Sequence, residues 1–340
     1  MVYPKVSILW INYNSKKIVD IVLESLYSVF ELDYPNYEII IVDNGSTDGS
    51  FNMIKQVIES RRYNNASVNV KLIRLRRNRG FNTANNIAFQ ARDKNTKYVV
   101  LLNNDAVLLP DSLLNLVEII EAEKENGIAA TQGVITTWDG TKVDNMGFVV
   151  DELLFVHALY RGYNPYDIKK PHYCTFVSGA YSIYSVEAIL KVNKREILFD
   201  GHMFAYFDDK VLGLKLWCNG FKIKSFPIVA ARHYGSATFG YMSPKKIYLT
   251  TRNFLALCRI TKTMRYKPFV LVGYPLRRLA EMFLMAQDLK ELKEGLYSII
   301  RAIFYANKCQ SLIDYSIHLN KVLILRLNFI NAIKIISKKA

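Results

Sequence analysis

The chain has 340 residues, 51% of them apolar, with a formal net charge of +15 and four cysteines. This apolar content excludes a disordered chain and allows one large domain with an appendage. Cys174, Cys218, Cys258 and Cys309 show neither CxxC nor zinc-finger spacing, which points to reduced thiols in an intracellular protein. No charged segment with an apolar core precedes the strand-like Val6, and no run of about 18 uninterrupted apolar residues occurs, so neither a secretory signal nor a spanning helix is expected.

Val6 to Ile11 reads as a buried strand, followed by polar Asn12-Tyr13-Asn14-Ser15 and a helix carrying Ile18, Val22, Leu23, Leu26 and Val29. Tyr37 to Val42 repeats the pattern and ends in Asp43-Asn44-Gly45-Ser46. Strand, polar loop and helix in alternation predict an α/β fold with a parallel sheet and crossover helices. Val68 to Leu75 and Tyr98 to Leu102 add two strands, with a helix over about Asn82 to Ala91 between them. Asp111 is placed to cap a helix from Ser112 to Glu123. From about Thr131 to Tyr163, short β-prone pieces punctuated by Gly133, Gly140, Gly147 and Gly162 predict mixed or antiparallel structure. Helical spacing returns near Phe204 to Phe221, a strand is predicted from Lys222 to Val229, and long amphipathic stretches follow Pro244. The charge divides at the same place: from Pro244 onward there are 18 Lys/Arg against 5 Asp/Glu, net +13, leaving +2 for residues 1–243.

Four places carry chemistry. Tyr98 to Leu102 is wholly apolar and ends in Asn103-Asn104-Asp105, as a strand does that delivers oxygen ligands to the carboxyl edge of a sheet, or one that simply stops at a turn. Asp43 ends another strand; the two carboxylates would lie side by side if their strands are neighbours, one accepting from a nucleotide and one holding a divalent cation against phosphates. Asp43 also suits an Asx-turn. Asn78-Arg79-Gly80-Phe81-Asn82-Thr83-Ala84-Asn85-Asn86 places amides and a glycine at a helix start behind Arg74, Arg76 and Arg77, which favours anion or nucleotide contact or is a capped helix beside a solvated basic edge. In Phe199-Asp200-Gly201-His202-Met203-Phe204-Ala205-Tyr206-Phe207-Asp208-Asp209, aromatic surface around the carboxylates raises their pKa toward that of a general base, while either aspartate could also cap the helix that follows. His233 could complete a cation's shell, or be a structural histidine at a strand end.

Taken in order, SILWINYNS, IIIVDNGSTDGS, NRGFNTANN, VVLLNND, VSGAYSIY, FDGHMFAYFDD and Thr251-Arg252-Asn253 resemble the family 2 inverting glycosyltransferases of the GT-A fold, especially the rhamnosyltransferase-like branch that builds cell-surface glycans. The resemblance spans about residues 5 to 253 and implies a GT-A nucleotide-sugar-binding fold with a mostly parallel central sheet flanked by helices. It divides residues 1–243 into a nucleotide-binding half, about 1–130, and an acceptor-side half, about 131–243, followed by a basic helical region over 244–340. It implies a donor site at Asn12, Asn14, Asp43, Asn78, Gly80, Asn85, Asn104 and Asp105, and an acceptor side at Ser178 and Gly179. Asp105 and His233 would hold Mg2+ or Mn2+, and Asp209 would be the catalytic base, with Asp208 in place of the family's glutamate. Val211 and Lys215 stand where many relatives carry an acid and an arginine, and Asn103 removes a charge from the metal motif; these departures read as altered specificity or metal affinity.

The implied reaction is displacement at the anomeric carbon of a nucleotide diphosphate-sugar by a hydroxyl of a glycan or lipid-linked acceptor. The alternative is a non-catalytic nucleotide-sugar or glycan-binding protein. Arg277, Arg278, Lys290, Lys293 and Arg301 interrupt apolar segments, so the C-terminal helices either lie on an anionic membrane surface, on its cytoplasmic face, or cap the catalytic domain with their charges solvated. A nucleic-acid partner is not expected, because the chain lacks an RNA-recognition motif and zinc-finger spacing; without GxGxxG after the first strand, a nicotinamide dehydrogenase is disfavoured.

Overall fold

The computed structural model describes residues 3–64, 68–193, 195–235 and 243–337. The first half alternates as read: β1 (Val6–Asn12), α1 (Val19–Phe30), β2 (Tyr37–Asp43), α2 (Ser50–Asn64), β3 (Asn69–Arg74), α3 (Phe81–Gln90) and β4 (Tyr98–Asn103). Then come β5 (Ala106–Leu108), α4 (Ser112–Glu123), β6 (Ile128–Thr137), β7 (Val143–Asn145), β8 (Phe148–Asp151), β9 (Val156–Ala158), β10 (His172–Tyr173) and β11 (Tyr181–Ser185). Helices α5 (Val186–Asn193) and α6 (Asp208–Cys218) lead to β12 (Lys222–His233), and α7 (Pro244–Ile260), α8 (Lys267–Met285), α9 (Leu289–Ser311) and α10 (Phe329–Ser337) follow.

The main sheet runs β10-β12-β6-β11-β4-β1-β2-β3, with β5 added on β12 and β7 on β6. It is parallel over β4-β1-β2-β3 and mixed beyond β4, where β11 lies antiparallel to both β4 and β6. A strand covered on both faces reads as a near-continuous apolar run, and β4 alternates between two cores accordingly. Tyr98, Val100 and Leu102 join Val22, Leu26, Ile54 and Leu116 on one face; Val99 and Leu101 join Ala84, Phe89, Ile189 and Leu212 on the other. Each fully buried valine or leucine there stabilises the fold by roughly 1.5–3 kcal/mol. The far side of α6 carries a third core, in which Val211 and Leu214 meet Phe254 and Leu257 of α7 and Tyr274 of α8.

Three expectations are corrected. Asp43 and Asp105 are not on neighbouring strands: β1 lies between β2 and β4, with Asn12 paired to Asp43 and Ile11 to Asn103. Strand order is set by long-range packing that local pattern does not carry. Asp111 stands at the N-cap of α4, but its carboxylate accepts from Asn115 Nδ2 (3.0 Å) rather than from a backbone amide, because its own backbone is already helical. The strand predicted to stop at Val229 continues to His233, held by pairing with β5 and β6.

Candidate functional site

A cavity of about 380 Å³ opens at the carboxyl ends of β1 and β4, and Asn78, Asn104, Asp105, Ser178, Gly179, Asp208, Asp209 and His233 line it together. One wall forms at the exit of β4. A two-residue turn, Asn104-Asp105, reverses the chain into β5, and the antiparallel register of β5 on β12 sets Ala106 opposite His233. Asp105 Oδ1 and His233 Nε2 consequently lie 3.3 Å apart, with Asp105 almost fully buried. The other ring nitrogen, Nδ1, is 3.2 Å from Asp144 Oδ2, and Arg161 donates to Asp144 Oδ1 (2.9 Å). Burial pushes the imidazole pKa down, but hydrogen bonds to Asp105 and Asp144 outweigh it and hold the ring up at about 9. Asp144 itself is pushed up by burial and pulled down further, to about 2, by the bonds from His233 and Arg161.

Among the described residues no three His, Cys, Asp or Glu side chains converge as a complete metal cage. Two ligands adjacent on one octahedral ion stand about 3 Å apart, and the separation of Asp105 from His233 matches that. The pair therefore fits a cation whose remaining ligands are phosphate oxygens and water.

The opposite wall is the loop before α6. Phe204, Tyr206 and Phe207 adopt positive φ (67°, 71° and 68°), at a cost on the order of 1–3 kcal/mol each that the surroundings must offset. Helix α7 does this: Asn253 Nδ2 donates to the carbonyls of Met203 (2.9 Å) and Ala205 (2.8 Å), and Arg252 Nη2 to that of Met203 (2.9 Å). From the other side Asn82 N–H donates to Phe204 O (3.1 Å). Gly80 permits this approach, since a Cβ there would stand 2.6 Å from Phe204 O and its own φ is +89°. Lys246, also from α7, reaches the cavity, so the change in charge at Pro244 is not a boundary of the site.

The loop delivers Asp208 and Asp209 at the first turn of α6, where neither caps the helix by its side chain. Asp209 Oδ1 accepts from Lys210 N–H (2.7 Å) and Oδ2 from Gly179 N–H (3.4 Å). Burial raises both carboxyls; Asp208 is pushed further, to about 7, by the charge of Asp209, whereas backbone amides of Lys210 and Gly179 oppose the rise at Asp209. Lys210 is buried beneath them, donating to Leu154 O (2.5 Å) 4.7 Å from the Phe207 ring. Val211 faces the third core, so the acid missing there removes nothing from the cavity wall. Lys215 donates to Asn193 Oδ1 and lies 4.1 Å from the Tyr315 ring.

Of the remaining predicted donor residues only Asn78 lines the cavity; Asn12, Asn14, Asp43, Gly80 and Asn85 do not. Asn12 is fully buried and ties the strand ends together, donating from Nδ2 to Asp43 Oδ1 (2.8 Å) and accepting at Oδ1 from Asn104 Nδ2 (3.3 Å). Asp43 is fully buried and accepts from Ser46 N–H (3.0 Å), which is the turn chemistry its sequence allowed. Asn14, on the exposed loop, accepts from Thr47 N–H (2.9 Å). Asn78 Oδ1 accepts from Gly80 N–H (2.8 Å). Asn85 is buried and donates to Phe81 O (3.0 Å) in its own helix, away from the cavity. Sequence reasoning missed Tyr13, Asn44, Phe81 and Lys246 on the lining, and Asp144 behind His233. Of these, Tyr13, Asn44 and Phe81 sat in segments already singled out.

Comparison with known proteins adds three likenesses. The chain is 27% identical over 156 residues, 46% of its length, to TuaG of Bacillus subtilis (strain 168), named for teichuronic acid biosynthesis as a glycosyltransferase. It is 25% identical over 233 residues, 67% of its length, to the dolichyl N-acetyl-alpha-D-glucosaminyl phosphate 3-beta-D-2,3-diacetamido-2,3-dideoxy-beta-D-glucuronosyltransferase of Methanococcus voltae. The matches span 57% and 66% of these relatives. The fold is that of GT-A glycosyltransferase structures, among them the mannosyltransferase PcManGT of Pyrobaculum calidifontis in complex with GDP-Man and Mn2+, with a TM-score of 0.54 at 16% identity over 90% of this chain and 88% of that one. The glycosyl transferase family 2 model matches residues 7–192, more than half the chain, and this protein therefore belongs to that family.

Proposed function

We propose that the protein transfers a sugar from a nucleoside diphosphate-sugar to a hydroxyl of a glycan or lipid-linked acceptor, with inversion at the anomeric carbon, in the manner of the rhamnosyltransferase-like branch. The observation that carries this reading is a single cavity with Asp105 and His233 on one wall and Asp209 on another. Asp209 takes the proton from the acceptor hydroxyl as that oxygen attacks. Gly179 N–H and Lys210 N–H hold the carboxylate in place for this. A single attack from the face opposite the leaving group inverts the sugar, and no sugar-enzyme bond forms. Asp105 and His233 would hold a divalent cation, Mg2+ or Mn2+, which when bound neutralises the departing diphosphate; the Mn2+ in the PcManGT complex supports the choice.

A thermal-shift panel of UDP-, GDP- and dTDP-sugars with and without Mn2+ tests donor and cation together. Stabilisation by one nucleotide that depends on Mn2+ and is weakened in Asp105→Ala is the expected result. An unchanged melting temperature at saturating ligand would overturn it.

The same proposal places the protein peripherally on the cytoplasmic face of an anionic membrane. Among the described residues no helix is long and apolar enough to cross one. Helix α8 instead exposes Val272, Leu276 and Phe283 along one stripe, α10 exposes Phe329 and Ile330, and the region that carries them has a net charge of +13. The lipid-linked substrate in the name of the Methanococcus voltae relative supports a membrane-borne acceptor. The protein is expected to sediment with phosphatidylcholine vesicles containing phosphatidylglycerol and to lose most of that binding in Leu276→Glu/Phe283→Glu. Equal recovery of variant and parent in the pellet would remove α8 from the account.

A further inference from the structure

We propose that Asp144 is a positioning residue of the cation site: it accepts from His233 Nδ1 and so leaves Nε2, on the Asp105 side, to the cation. This rests on the cation reading above. The register of β12 on β5 places the backbone of His233 beside Asp105, but it leaves the ring free to turn. A carboxylate only accepts, so the ring nitrogen 3.2 Å from Asp144 Oδ2 carries hydrogen. Asp105 Oδ1, 3.3 Å away, makes Nε2 a donor in the same way while no cation is present; a cation held by Asp105 replaces that hydrogen, whereas the one on Nδ1 stays with Asp144.

Asp144 is itself fixed by two side chains besides His233. Arg161 Nη2 donates to Oδ1 (2.9 Å), and Asn145 Nδ2 donates to Oδ2 (3.1 Å). Asn145 Oδ1 accepts from Gln132 Nε2 (3.0 Å), and Gln132 Oε1 accepts from Ser178 N–H (2.6 Å). Gln132 and Asn145 are buried, so the chain of bonds runs through the sheet from the acceptor-side segment to the imidazole. Asp144 does not line the cavity. Its effect on a bound nucleotide therefore passes through His233.

The test uses the full chain titrated with Mn2+ in the presence of UDP, GDP or dTDP, with free Mn2+ read by electron paramagnetic resonance. Asp144→Ala is expected to weaken Mn2+ binding by roughly 10–100-fold while the metal-free chain stays folded, as its melting transition reports. Arg161→Ala, which removes a largely exposed partner, is expected to act in the same direction by a smaller factor. Imidazole 15N spectra with Mg2+ and nucleotide are expected to show His233 protonated at Nδ1 in the parent and a mixture of tautomers in Asp144→Ala. Unchanged Mn2+ affinity in both variants, or an unchanged tautomer in Asp144→Ala, would overturn the inference. Absence of Mn2+ binding by the parent with all three nucleotides would overturn the cation reading itself, and this inference with it.

Discussion

Asp209→Asn is expected to lower turnover by about 10²–10⁴-fold, the range that a general base contributes, while nucleotide affinity stays within a few-fold of the parent. The amide keeps the shape of the carboxylate but takes no proton from an attacking hydroxyl. Its hydrogen-bond donors are the backbone N–H groups of Gly179 and Lys210, so the substitution strands no charged hydrogen-bond partner. Lys210 stays bonded to Leu154 O beneath the loop. The measurement is initial rate of nucleoside diphosphate release with acceptor, alongside nucleotide binding by calorimetry. Equal rates in variant and parent would remove Asp209 from the reaction, and equal loss of binding would make it a structural residue.

The second large effect is on pH dependence. Burial raises both carboxyls of the pair, and Asp208 gives up its proton last, at about pH 7, because Asp209 is already charged beside it. Below that pH the pair carries one negative charge and above it two. A nucleoside diphosphate is anionic, so the donor KM of the parent is expected to rise several-fold as pH increases through 7. Asp208→Asn removes the group that titrates there, and its donor KM is expected to stay flat across the same interval. The lower limb, set by ionisation of Asp209, remains in both proteins and moves to lower pH in the variant only if Asp208 is charged when Asp209 titrates. Steady-state rates on either side of pH 7 decide the point: a parent with no change in donor KM contradicts the shared recess.

The parallel half of the fold was legible because β1, β2 and β4 are largely apolar runs closed by polar residues, and a strand covered on both faces admits little else. Asp105 and His233 were legible as strand-end chemistry, and the structure brings them together. What was not legible is non-local. Nothing within Tyr37–Asp43 or Tyr98–Asn103 says that β1 lies between them, and that order is what separates Asp43 from Asp105. Asp144 sits in a three-residue strand with no periodicity to mark it, and its partner is 89 residues away. The strained backbone at Phe204, Tyr206 and Phe207 left no trace either, since none of the three is a glycine. A positive φ at an aromatic residue is imposed by the surroundings rather than by local preference.

The bonds from Asn253 and Arg252 to the loop carbonyls have a practical reading for anyone recombining this protein with its relatives. A chimera joined where the charge changes, ahead of Pro244, would import a foreign helix under an aromatic loop whose dihedral angles depend on that helix's side chains. The workable seam lies one helix later, between Ile260 and Lys267, where α7 has ended and α8 has not begun. Grafts made there keep the bonds to the loop within one parent, provided the buried face of the incoming α8 still fits Phe254 of α7, as Tyr274 does here.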